Sequence, residues 1–165
     1  MKGKLFVIGI GPGSAEHLTQ RARTALYEAD VIVGYKTYIN LIKCIVGDKE
    51  IVSTGMTQEV DRCKAAIELA EKGKKVAVIS SGDAGIYGMA GLIYELVETP
   101  RRDVSTNASH VSRLTSHDIE VIPGVSALNA AAAVLGAPLM HDFAAISLSD
   151  LLTPWELIQK RVEAA

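Results

Sequence analysis

The sequence predicts an α/β fold: a mainly parallel sheet of about five strands, flanked by helices. Three observations carry this. First, short apolar runs rich in Val and Ile recur at Lys4–Ile10, Val76–Ile79 and Ile119–Ile122. They read as strands buried on both faces, the habit of parallel sheets. Second, each run passes into a turn of Gly, Ser and Pro and then into a helical pattern, the unit from which parallel sheets are built. Third, hydrophobic residues make up 48% of the 165-residue chain but aromatics only 5%. That Ala/Val/Ile/Leu profile suits an α/β protein better than a β-sandwich.

Taken in order, Lys4–Ile10 is the first strand. It enters Gly9-Ile10-Gly11-Pro12-Gly13, followed by an amphipathic helix from about Leu18 to Ala29. The glycines do not form the dinucleotide pattern G-x-G-x-x-G, and no Walker Lys-Ser/Thr pair follows. The turn reads instead as a pocket lining, where Gly admits close approach and Pro12 fixes φ. Asp30–Gly34 is the second strand, and Tyr35-Lys36-Thr37-Tyr38 opens the next helix. Glu50–Met56 is a short third strand. Thr57 is then expected as N-cap of a helix from about Gln58 to Lys72, with Val60, Ile67 and Leu69 facing the core.

The fourth strand, Val76–Ile79, organises the rest. Ser80-Ser81-Gly82-Asp83 lies at its carboxyl end, where open α/β sheets bind ligands. An Asp beside backbone amides suits a ligand with polar and positively charged parts. Gly85 and Gly88 lack a Cβ and permit close approach, and a helix is expected over Gly85 to Val97. Residues 99–118 are polar and Ser/Thr-rich, and read as an exposed, mobile loop. Ile119–Ile122 is the fifth strand. Pro123-Gly124-Val125-Ser126-Ala127 leads to a helix over Leu128 to Leu135, with Ser126 as N-cap or ligand contact. Phe143–Ser147 is a sixth strand or a crossover. Thr153 is expected to cap a last helix with Pro154 at its first position. Trp155, Leu157 and Ile158 form an apolar stripe on that helix.

Charge and cysteine content exclude several functions. The formal net charge is −2, and no basic face suggests nucleic acid. Lys72 to Lys75, interrupted by Gly73, reads as the solvated end of a helix. Cys44 and Cys63 form no CxxC pattern, so neither a disulfide framework nor a zinc site is expected. His110 and His117 have no ligating partners in the sequence, and no metal is expected. The N-terminal apolar run is too short for a signal peptide and no run reaches transmembrane length. A cytoplasmic location without membrane contact follows as the expectation.

Three segments in this order, Gly9–Thr19, Ser80–Gly88 and Ile122–Ala127, resemble the signature of the tetrapyrrole (corrin and porphyrin) methylases. Gly34–Tyr38, Thr54–Gln58 and His141–Trp155 resemble the subgroup acting on precorrin-3B, which methylates carbon 17 and contracts the ring during cobalamin biosynthesis. The resemblance covers nearly the whole chain apart from about 99 to 118.

It implies S-adenosyl-L-methionine as cofactor, a tetrapyrrole as substrate and a homodimer. It also implies two domains with the cofactor in the cleft between them. Residues 1–145 would be the N-terminal α/β domain, and 146–165 a linker and the first helix of a C-terminal domain that the chain lacks. Pro12, Ser81, Gly82, Asp83, Ile86, Ser126 and Ala127 would hold the cofactor. Gly11, Gly13, Tyr35, Lys36, Thr54 and Met56 would line the substrate trough. Lys36, Arg62 and the glycine-turn amides are candidate contacts for substrate carboxylates. No catalytic base carries over. Two further readings stay open here: a non-catalytic module that binds a tetrapyrrole or a partner, and a methylase with another acceptor.

Overall fold

A computed structural model describes residues 3–98, 101–102, 109–110, 114–148 and 153–165. The chain divides into two compact units, Met1–Ala127 and Leu128–Ala165.

The first unit is built on five strands, β1 (Lys4–Gly9), β2 (Val31–Tyr35), β3 (Glu50–Thr54), β4 (Lys75–Ser80) and β7 (Ile119–Ile122). They form one sheet in the order β3-β2-β4-β1-β7. All neighbouring pairs are parallel, so the fold class expected from the sequence is the one observed. Helices α1 (Gln20–Glu28), α2 (Lys36–Val46), α3 (Glu59–Glu71) and α4 (Ala90–Glu98) complete the unit.

Alternation along the strands creates two cores. Phe6, Ile8, Ile32, Ala77, Ile79 and Ile122 pack with Ala22 and Leu26 of α1 and Ile39 and Ile42 of α2. Leu5, Val7, Val33, Val76, Val78 and Ile119 pack with Ala66 and Ile67 of α3 and Ile93 of α4. The helix after β1 therefore covers one face, and the helix after β4 the other. β1 and β4 are adjacent, so the chain switches faces between them. Such a switch opens a crevice at the strands' carboxyl ends.

On the α1/α2 face, Glu120 of the edge strand β7 pairs with Arg21 of α1 and Lys4 of β1. The Arg21 guanidinium and, secondarily, the Lys4 ammonium hold the Glu120 carboxyl down at about 2. On the opposite face, burial pushes the Cys63 thiol up to about 11, whereas Cys44 is exposed.

Several local expectations need correction. The N-cap of α3 is Gln58. Thr57 sits at φ 62 with its hydroxyl donating to the Met56 carbonyl, so it cannot cap. Ile67 is buried as expected, but Val60 is 44% exposed; the inner face of α3 is Arg62, Cys63, Ala66, Ile67 and Ala70. α4 starts at Ala90 rather than near Gly85, because Tyr87 adopts φ 52 and the turn before it stays open.

Within 99–118, β5 (Arg101–Arg102) pairs antiparallel with β6 (Ser109–His110), and a 3₁₀ turn covers Ser116–Asp118. Residues 99–100, 103–108 and 111–113, on which most of the loop expectation falls, lie outside the described residues.

The second unit contains most of α5 (Ala127–Leu135) and α6 (Trp155–Glu163). Residues 143–147 form no strand. The N-cap of α6 is Pro154, one residue later than expected, since its carbonyl accepts from Leu157 and Ile158 N–H. Ile158 is buried, while Trp155 and Leu157 of the anticipated stripe are 65% and 42% exposed. Residues 149–152 lie outside the described ones. No helix among the described residues is long and apolar enough to cross a membrane.

Candidate functional site

A parallel sheet has one carboxyl edge, and the residues singled out from the sequence all map to it. Gly11, Pro12 and Gly13 follow β1, and Tyr35 and Lys36 end β2 and begin α2. Thr54 and Met56 end and follow β3. Ser81, Gly82, Asp83 and Ile86 follow β4, and Ser126 and Ala127 follow β7.

The loops after β1 and β4 are joined at their bases by backbone hydrogen bonds, and the loop after β7 packs against both. Gly11 and Gly82 exchange two N–H···O=C bonds of 3.0 and 2.8 Å. A Cβ on Gly124 would lie 2.2 Å from the Gly82 oxygen and 2.6 Å from the Gly9 oxygen. That crossing is open only to glycine. Gly82 itself needs glycine for another reason, its φ of 63.

Asp83 adds a side-chain staple. One carboxylate oxygen accepts from the N–H groups of Gly85 (2.7 Å) and Ile86 (3.2 Å). The other reaches across to the N–H of Gly124 at 3.0 Å. The carboxylate thus spends three acceptor sites on its own chain. Gly88 likewise serves the chain itself: a Cβ there would meet the Ala84 carbonyl oxygen at 2.3 Å.

Around this floor the side chains differ in accessibility. Pro12, Ser81 and Lys36 are exposed, and Ile86 and Met56 are 47% and 70% exposed. Ser126 is buried. Tyr35 stacks edge-to-face on Tyr38 at 5.3 Å between ring centroids. Gly13 has φ 119 and abuts Leu41 of α2. Gly11, Gly82, Asp83, Ser126 and Ala127 come together: a Cβ on Gly82 would lie 3.4 Å from the Ala127 nitrogen and 3.8 Å from the Ser126 Cα.

Arg62 does not occupy the role anticipated for it. Its side chain is only 4% exposed. Nε donates to Thr54 Oγ1 at 2.7 Å and Nη2 to the Gly55 carbonyl at 2.9 Å. A guanidinium committed in this way is not available to a substrate carboxylate. Lys36 remains accessible.

The group implied by the sequence resemblance, S-adenosylmethionine, can be tested against these residues. Ser80 Oγ, at the end of β4, is buried and without a hydrogen-bond partner among the described residues. A Cβ on Gly85 would meet only Asp83 Oδ1, at 3.3 Å. The crevice thus combines an orphaned hydroxyl, an open glycine, an exposed Ser81, a carboxylate and the apolar Ile86 and Pro12. That set fits a cationic ligand with both polar and flat apolar parts. Sequence reasoning named Gly9, Gly124 and Ser80 only as members of their turns and gave them no role of their own. Nothing in the sequence marks which backbone a glycine will meet, or which serine will lack a partner.

The comparisons with known proteins agree with this geometry. The sequence model of the Tetrapyrrole (Corrin/Porphyrin) Methylases matches residues 4–165. A cobalt-factor III methyltransferase of Priestia megaterium is 59% identical over 166 residues, spanning 100% of this chain and 29% of the relative. A probable cobalt-factor III C(17)-methyltransferase of Salmonella typhimurium is 56% identical over 161 residues, 98% of this chain and 61% of the relative. The crystal structure of the methyltransferase CobJ superposes with a TM-score of 0.79 at 37% identity, covering 99% of this chain and 63% of CobJ. A uroporphyrin-III C-methyl transferase from Thermus thermophilus, complexed with S-adenyl homocysteine, gives a TM-score of 0.57 at 25% identity, covering 88% and 57% of the two chains. The chain therefore spans less than two thirds of each of these proteins.

Proposed function

Because this chain belongs to the tetrapyrrole (corrin/porphyrin) methylases, we propose that its protein transfers a methyl group from S-adenosyl-L-methionine to carbon 17 of a precorrin-3B-type tetrapyrrole, with ring contraction, in cobalamin biosynthesis. The observation that carries the reading is the convergence of the loops after β1, β4 and β7 on Gly11, Gly82, Asp83 and Gly124. The names of the similar proteins support the reading: both the Priestia megaterium and the Salmonella typhimurium proteins are named for cobalt-factor III, and the latter for C(17) methylation. The Thermus thermophilus structure complexed with S-adenyl homocysteine supports the cofactor.

When bound, S-adenosylmethionine supplies a methyl group made electrophilic by its sulfonium. The residues here have the task of positioning. Ser81, Gly82, Asp83, Ile86, Ser126, Ala127 and Pro12 would hold the cofactor, with the Asp83 charge complementing its cationic part. Gly11, Gly13, Tyr35, Lys36, Thr54 and Met56 would line the trough for the macrocycle, and the Lys36 ammonium is placed for a peripheral carboxylate. Fixing two reactants in line replaces an encounter in solution and accounts for a large part of such a rate enhancement. No side chain is assigned as a base.

The same reading takes residues 1–145 as the N-terminal methylase domain, followed by the start of a second domain, in a cytoplasmic homodimer. It is supported by the greater length of the similar proteins and by the family resemblance.

Calorimetric titration of the 165-residue chain with S-adenosylhomocysteine tests the cofactor half. We expect saturable one-site binding that is weakened by Ile86→Asp. Absence of binding to a folded chain would refute a working half-site within residues 1–127.

A further inference from the structure

We propose that Arg62 is a positioning residue that sets the conformation of the Thr54–Thr57 turn and thereby governs tetrapyrrole binding. The inference rests on the reading above that Thr54 and Met56 face the substrate.

Arg62 lies on the inner face of α3, almost shut off from solvent. A charged group in such a place must have its donors engaged, and an apolar residue would fill the space without that requirement. What the guanidinium adds is its fork. Nε and Nη2 fix two points of one turn together, the Thr54 hydroxyl and the Gly55 carbonyl. The opposite side of the turn is held as well, because the Gly55 N–H donates to Gln58 Oε1 at 2.8 Å. Gly55 is thus held through both its N–H and its C=O. Thr57, two residues on, sits at φ 62. A strained non-glycine residue persists only where its surroundings over-determine it. The outcome is Met56, 70% exposed on a turn that cannot relax. A thioether side chain of this kind adapts to a broad apolar face.

Arg62 also reaches the neighbouring loop. Nη1 lies 3.9 Å from the sulfur of Met89, the residue before α4 at the end of the Ser81–Gly88 segment. Met89 is shared with the Cys63 thiol, also at 3.9 Å. The Met89 contact is therefore backed by a second group, whereas the hold on the Gly55 carbonyl depends on Arg62. Loss of Arg62 should disturb the substrate side more than the cofactor side.

The test uses the complete product of the gene, with cobalt-factor III as acceptor and S-adenosylhomocysteine as cofactor probe. Arg62→Met should raise KM for the tetrapyrrole about tenfold or more, the scale expected from losing two charge-assisted bonds that hold a binding loop. The kcat and the S-adenosylhomocysteine Kd should stay within about threefold, since positioning of one ligand splits these parameters. Arg62→Lys should recover part of the loss, because an ammonium can hold either point but not both in the same geometry. An unchanged KM overturns the proposal. So does a fall in acceptor and cofactor affinity together that tracks the folded fraction.

If Arg62→Met does not fold, Arg62→Lys decides, because it keeps the buried charge and loses the fork. A raised KM at unchanged Tm supports the proposal, and an unchanged KM overturns it. Met56→Ala separates this idea from its premise. If it leaves KM unchanged, the turn is not part of the trough and the underlying reading falls. If it raises KM while Arg62→Met and Arg62→Lys do not, the reading stands and the role of Arg62 falls.

Discussion

Asp83→Asn separates two kinds of work that a carboxylate can do at the end of β4. In the structure, one oxygen takes two N–H bonds from Gly85 and Ile86, and the other takes one from Gly124, on a loop 41 residues away in sequence. An amide cannot reproduce this. In either orientation its NH2 points at a backbone N–H, donor against donor. A hydrogen bond to a charged group contributes about 1.5–3 kcal/mol, and a buried donor left unpaired costs about 1–3 kcal/mol. Asp83 is half-exposed, which brings the combined loss to about 2–3 kcal/mol. At about 2–4 °C per kcal/mol for a chain of this length, Tm should fall by roughly 5–10 °C. The assay is thermal unfolding by circular dichroism, with calorimetric titration of S-adenosylhomocysteine in parallel. An unchanged Tm would refute the cross-loop staple. A loss of ligand affinity at full Tm would show the carboxylate to be directed at the ligand alone.

Two other predictions address the floor and the edge of the sheet. Gly124→Ala brings a Cβ to 2.2 Å from the Gly82 oxygen and 2.6 Å from the Gly9 oxygen, both of them backbone atoms. It should cost about 4 kcal/mol or more, seen as a large fall in Tm or in soluble yield, and a wild-type Tm would contradict the close packing. Glu120→Gln tests the pairing with Arg21 and Lys4. The folded-state value of Glu120, about 2, lies below its ordinary 4.5. The stability gained from that shift is full above about 4.5, declines as the unfolded chain takes up its proton, and is lost as pH falls through about 2. Urea midpoints measured between pH 2 and 6 should therefore fall less steeply toward acid in the variant. Parallel curves would deny the pairing.

The strands and their carboxyl-end turns were legible because burial on both faces imposes continuous runs such as Val76–Ile79 and leaves small residues where the chain must turn. Helix boundaries were less legible where a turn overrides propensity. Gly85-Ile86-Tyr87-Gly88 reads as the start of a helix, yet Asp83 caps those amides and Tyr87 turns to positive φ, delaying α4 to Ala90. Thr57 looks like an N-cap by residue type, but its backbone is left-handed and its hydroxyl is turned to its own neighbour. Both failures lie at the carboxyl edge of the sheet, where local preference gives way to a fixed loop shape. Arg62 was misread for a different reason. Its charge made it a candidate contact for substrate carboxylates, and only the packing of α3 against the sheet turns it inward.

Connecting loops in α/β proteins are ordinarily their most adaptable parts, yet here the loops after β1 and β4 are held backbone to backbone, and the loop after β7 is tied to them by the Asp83 carboxylate. The fixed part is polar: peptide groups at Gly11, Gly82 and Gly124, and the Asp83 carboxylate. The exposed rim carries larger apolar groups, Met56, Ile86 and Tyr87. Under the proposed function this division assigns each part of the ligands a place. Polar and cationic groups meet the floor, where peptide dipoles are fixed before binding and need no reorganisation. The broad apolar plane of a tetrapyrrole crosses the rim at Met56, while Ile86 meets the cofactor. In-line transfer tolerates little misalignment. A floor that cannot shift fixes one reactant, and the placement of the other then rests on the Thr54–Thr57 turn, which makes the Arg62 clamp the contact to perturb in order to move one reactant without the other.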